Sequence, residues 1–141
     1  MRLVLGQSLC SLGGEPWERG SAAERLRLWL GCDDYADFAE RFVGFNVYPY
    51  RNGRVQTSEH KEVLDKLLDE ASLVVLAGKV AQEYVMHGAP GMPLWHFDKY
   101  IGVPHPSGLN RVLNTLPNEV VNEYVQSILH REEVCSSAFM R

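Results

Sequence analysis

The chain has 141 residues, 45% of them hydrophobic and 23% charged, which fits one domain with a sizeable core. With 12 Gly, 7 Pro and no run near the ~20 continuous apolar residues of a membrane span, fibrous and membrane-spanning readings drop out. The 14 Lys and Arg against 18 Asp and Glu leave a net charge of −4, which excludes broad adhesion to nucleic acid and confines any such role to a local basic rim.

Met1-Arg2-Leu3-Val4-Leu5 is cut off by Gly6-Gln7-Ser8 before it reaches the length of a signal-peptide core, so a cytoplasmic protein is expected, nucleoid-associated in a bacterium or in the host cytoplasm if viral. Cys10, Cys32 and Cys135 are odd in number and scattered, with no C-x-x-C pair, so no structural metal, cluster or other cofactor is expected.

Arg2 to Leu5 is a short apolar run suited to a buried strand, and the glycine-rich, aperiodic stretch from Gln7 to Gly20 reads as a long loop at its carboxyl end. Ser21 with Glu24 three residues on predicts a capped helix, with Leu26, Leu28, Trp29 and Leu30 on its apolar face and Gly31 as its stop. A short helix follows from Asp33 or Asp34 to Arg41, with Tyr35, Phe38, Ala39 and Phe42 spaced for one buried face. Val43 to Val47 reads as a second strand, and the Pro and Asn-Gly between Tyr48 and Arg54 mark an irregular exit loop. Trp29, Phe38, Phe42 and Phe45 are assigned to the core.

Ser58 is read as the cap of a helix through Glu70 that turns Val63, Leu64, Leu67 and Leu68 inward. Leu73 to Ala77 is apolar at every position, the signature of a central parallel strand. Lys79 to His87 reads as a helix, Gly88 to Pro93 as a loop, Lys99 to Val103 as a weak fourth strand and Pro104 to Asn114 as a polar loop. Pro117 opens a last helix to about His130, followed by a loose tail over 131–141.

Strand and helix alternate four times, which predicts a single α/β domain: a three-layer αβα sandwich around a central four-stranded parallel sheet. Ligands of such sheets bind beyond the carboxyl ends of the strands. Three loops therefore become candidates together, and they hold Gln7, Ser8, Trp17, Asn46, His105, Ser107 and Asn110. An amide, an imidazole and an aromatic plane suit a flat hydrogen-bonding ligand such as a nucleobase. His60, His87, His96 and His130 have no metal-ligand spacing and read as ordinary histidines, and Lys79 lacks the glycine pattern of a phosphate loop.

At these residues the chain resembles the uracil-DNA glycosylase superfamily. Gly6-Gln7-Ser8 follows the first strand, and Gly14-Glu15-Pro16-Trp17 looks like the family's Gly-x-Pro-aromatic segment. Asn46-Val47 ends the second strand, and His105-Pro106-Ser107-Gly108-Leu109-Asn110 looks like its leucine-loop motif. Order and spacing are similar to the short bacterial and archaeal branch, without that branch's iron–sulfur cysteines.

The resemblance implies a monofunctional glycosylase that flips uracil or a modified pyrimidine out of single- or double-stranded DNA, acting as a monomer with no membrane partner. His105 would stabilise charge on the base, Asn46 would read its edge and Trp17 would stack on it. Leu109 would wedge into the vacated stack. Pro106, Ser107, Gly108 and Asn110 would meet the backbone, with Arg111, Arg51 and Arg54 supplying charge. Gln7 and Ser8 would orient water. Ser8 departs from the Asp or Asn of active branches and Leu9 from the usual Pro, so modest activity or a weakly bonded target base is expected. Two other readings stay open: a catalytically weak or inactive nucleobase-binding module of the same fold, and a nucleoside or nucleotide hydrolase on a flavodoxin-like sheet.

Overall fold

A computed structural model describes residues 1–6, 20–48, 56–86, 93–106 and 116–139, with side chains in the first helix from residue 24 onward and in the last up to residue 131. Its first strand, β1 (Arg2–Gly6), is followed by α1 (Gly20–Leu30), α2 (Tyr35–Arg41) and β2 (Val43–Asn46). Then come α3 (Ser58–Glu70), β3 (Leu73–Ala77), α4 (Lys79–Val85), β4 (Trp95–Phe97), β5 (Tyr100–Val103) and α5 (Asn118–Phe139).

Local chemistry accounts for the helix ends. Gly31 at φ +70° closes α1 in a Schellman arrangement, the Cys32 amide donating to the Arg27 carbonyl and the Gly31 amide to that of Leu28. The Asp34 carboxylate caps α2 by accepting from the Asp37 amide at 2.8 Å. Thr57, one residue before the expected Ser58, caps α3: its hydroxyl accepts from the His60 amide at 3.1 Å. The last helix runs to Phe139 and not merely to about His130.

The sheet is mixed and five-stranded, in the order β2-β1-β3-β5-β4, which corrects the expected four-stranded parallel sheet. The first four strands are parallel, and β4 adds antiparallel to β5 across a tight Asp98-Lys99 turn. Asp98 takes the left-handed conformation at φ 54°, which a short polar side chain tolerates. The missed strand is three residues long and buries only Trp95, leaving no alternation to read. Its indole packs against Gly102 of β5, where a Cβ would come within 2.0 Å of the indole nitrogen. Glycine at this position is what lets the indole close on β5.

Alternation along the strands feeds two cores. Val4, Val75, Ile101 and Val103 pack against Leu26, Trp29 and Leu30 of α1, Phe38 of α2 and Val121, Val125 and Ile128 of α5. On the other face Leu3, Leu5, Val74 and Leu76 meet Leu64 of α3 and Ala81 of α4. The sheet is therefore covered on both faces, an α/β sandwich of three layers. Trp29, Phe38 and Phe42 are buried as expected, but Phe45 is half-buried, and Leu28 and Val63 are 44% and 49% exposed on the outer faces of their helices. No helix among the described residues is long and apolar enough to cross a membrane.

Candidate functional site

The carboxyl ends of the four parallel strands lie along one edge, with Asn46 paired to Gly6 and Ala77 to Val103. Asn46 ends β2 and His105 follows β5, so three inter-strand spacings of about 4.8 Å, roughly 14 Å of sheet edge, separate the strands that carry them. Of the candidate residues, Asn46, His105 and Pro106 are described. Gln7, Ser8, Trp17, Arg51, Arg54, Ser107, Gly108, Leu109, Asn110 and Arg111 lie outside the described residues.

Asn46 is 8% exposed, and its side-chain amide makes no hydrogen bond to another described residue. Its backbone, by contrast, is gripped. The Val47 amide donates to the Gly6 carbonyl at 2.9 Å, and the Gln56 amide nitrogen donates to the Val47 carbonyl at 3.2 Å. Nε2 of His60 lies 2.6 Å from the Asn46 carbonyl oxygen, and because that oxygen only accepts, Nε2 carries the proton. The same imidazole stacks on Phe45, centroids 4.7 Å apart and planes 15° off parallel.

His105 is half-buried, and desolvation holds its imidazole below the ordinary value of 6.5, so it is neutral at neutral pH. Gly78, at the turn from β3 into α4, backs it closely. A Cβ there would come within 2.9 Å of the His105 Cβ, and φ is +91°, so both space and conformation call for glycine.

The chain around His105 is fixed from three sides. The Val103 carbonyl accepts from the Gly78 amide and from Nε2 of Gln82, both at 3.0 Å. Gln82, 7% exposed, also donates to the Leu76 carbonyl at 3.4 Å and accepts from the Trp95 indole at 3.1 Å. From the opposite helical layer, Arg25 of α1 donates to the Pro106 carbonyl at 3.1 Å.

Sequence reading singled out Asn46 and His105 but missed Arg25, Gln56, His60, Gly78 and Gln82. Each of these acts through a contact distant in sequence or through backbone conformation, and composition and periodicity carry neither signal. Among the described residues no three His, Cys, Asp or Glu are grouped to hold a metal ion.

The arrangement offers an amide that bonds no other described side chain or backbone group and a neutral imidazole, at one edge of a doubly covered sheet. It suits a planar, edge-polar ligand. A comparison with curated proteins finds no match. A family model described as "Uracil DNA glycosylase superfamily" matches residues 4–129, nearly the whole span from β1 to α5. On that match, with the strand order and site edge just described, the chain belongs to the uracil DNA glycosylase superfamily.

Proposed function

We propose that the protein is a DNA glycosylase that hydrolyses the N-glycosidic bond of uracil or a modified pyrimidine flipped out of DNA, leaving an abasic site. The observation that carries this is Asn46: a buried amide whose side chain is unengaged among the described residues, at the end of β2 in a member of this superfamily. One acceptor and two donors match the N3–H and O4 edge of uracil. As the C1′–N1 bond breaks, its electron pair moves into the base and charge gathers on O2. A neutral His105 donating there through its one ring N–H stabilises that charge. Water adds its oxygen to C1′ and gives up a proton, and the departing base anion takes a proton at N1.

In the same reading Trp17 stacks on the flipped base, Leu109 fills the gap in the duplex, and Pro106, Ser107, Gly108 and Asn110 meet the phosphates. Arg111, Arg51 and Arg54 provide the local positive charge, and Gln7 and Ser8 orient the water. The chain acts as a monomer in the cytoplasm and is of the short bacterial and archaeal type, without that branch's cluster cysteines. Ser8, lacking a carboxylate, favours a second reading in which the same pocket binds a nucleobase without turnover.

The test is a panel of single- and double-stranded oligonucleotides, each with one modified base, followed by alkaline cleavage at abasic sites. Cleavage at one lesion is expected, falling about 10²–10³-fold in His105→Ala, the usual cost of removing one donor to a developing anion. Binding without cleavage supports the second reading, and neither binding nor cleavage overturns both.

A further inference from the structure

We propose that His60 is a positioning residue for base recognition, acting through Asn46; the inference rests on the reading of Asn46 given above. Three observations converge on it. Its Nε2–H donates to the Asn46 carbonyl at 2.6 Å, a short bond to a carbonyl at the very end of β2. Its ring stacks on Phe45, the residue before Asn46, so the imidazole holds the recognition residue both through its own backbone and through its neighbour's side chain. Finally, its own backbone amide is spent on the Thr57 cap at 3.1 Å, which ties the ring's origin to the rigid first turn of α3.

Gln56, donating to the Val47 carbonyl at 3.2 Å, extends the grip by one residue. Asn46 can discriminate between base edges only if its backbone is held to a fraction of an ångström, because a hydrogen bond weakens steeply off its optimum. The first turn of α3 supplies that hold, and His60 is the part of it that touches Asn46 itself.

The experiment compares the full-length protein with His60→Phe, which keeps the stack and loses the donor, and His60→Gln, which keeps a donor of similar reach. On the oligonucleotide that the wild type cuts, His60→Phe should lose about three- to tenfold in kcat/KM, the size of one net hydrogen bond. His60→Gln should recover most of that loss. In an Asn46→Ala background His60→Phe should cost nothing further; an equal, additive loss there would overturn the proposal, since His60 would then act by another route.

A spectroscopic arm does not depend on turnover. In ¹⁵N spectra the wild type should show His60 protonated at Nε2 and one sharp pair of Asn46 side-chain amide resonances. In His60→Phe that pair should broaden or double, and an unchanged pair refutes the positioning role. If the wild type cuts nothing in the panel, the glycosylase reading falls, and this arm still decides whether His60 holds Asn46.

Discussion

Burying His105 ties the stability of the protein to pH. Its imidazole titrates below 6.5 in the folded chain because desolvation penalises the cation, whereas the unfolded chain leaves it near 6.5. At pH values below 6.5 the unfolded state therefore binds more protons than the folded one, and stability falls as pH drops toward the folded value, where the penalty saturates. Above 6.5 both states are neutral and the penalty vanishes. Replacing His105 with Gln should remove this part of the acid sensitivity. The drop in thermal midpoint between pH 7.5 and pH 5.5 is expected to be smaller in His105→Gln than in the wild type, and an equal drop in both would assign the effect to other groups.

Asn46 and His105 could be singled out as candidates at this scale because each stands in a distinctive local context, a strand end and a His-Pro-Ser-Gly motif. The contact that His60 makes with Asn46 could not. The neighbours of His60, Glu59 and Lys61, are those of any solvated helix start, and its partner lies 14 positions away in the sequence, a separation that no local pattern bridges.

Among the elements, β4 and α4 share a task that neither could perform alone. Gln82 looks on paper like a surface residue of a short helix, yet it is buried, and its amide joins β3, β4 and β5 through the Leu76 carbonyl, the Trp95 indole and the Val103 carbonyl. Changing it to Leu would keep the volume and strip the indole N–H of its buried acceptor. That should cost about 1–3 kcal/mol, the desolvation penalty of one unsatisfied group. Urea denaturation should show a lower midpoint with an unchanged slope, and a midpoint at the wild-type value would mean that the indole finds another partner.

The elements most legible in the sequence were those with long periodic or uniformly apolar patterns: β3 over Leu73–Ala77 came out as read, and α3 ended at Glu70 as read but began one residue early, with Thr57 and not Ser58 as its cap. The errors lie where pattern is thin. Three residues of β4 cannot establish a period, and α5 continues to Phe139 through Arg131-Glu132-Glu133, a polar stretch that reads as solvated tail.

For the molecule as a whole, a net charge of −4 leaves little general attraction for DNA. If Arg51, Arg54 and Arg111 are the rim that meets phosphates, log Kobs against log salt on duplex DNA should have a slope of about −3, near −0.9 for each phosphate neutralised. Fluorescence anisotropy over a salt series measures it. A slope of about −6 or steeper would overturn the local-rim reading and require a basic surface elsewhere. The general α/β architecture followed from the alternation of elements alone, but the sheet's exact composition did not, because a strand added by an antiparallel hairpin leaves the order of the parallel elements unchanged.

The position of β1 between β2 and β3 also bears on how the chain reaches this structure. Leu3 pairs with Val43 on one side and with Val74 on the other, so both neighbours of the first strand are far from it in sequence. The parallel part of the sheet cannot assemble hairpin by hairpin. Each pairing must close a long loop before it gains anything, which places folding in the slower range typical of non-local topologies. Until β1 and β5 flank it, the Leu73–Ala77 segment is a bare apolar strand with two unpaired edges, and a folding chain is most exposed to association with its own copies during that interval.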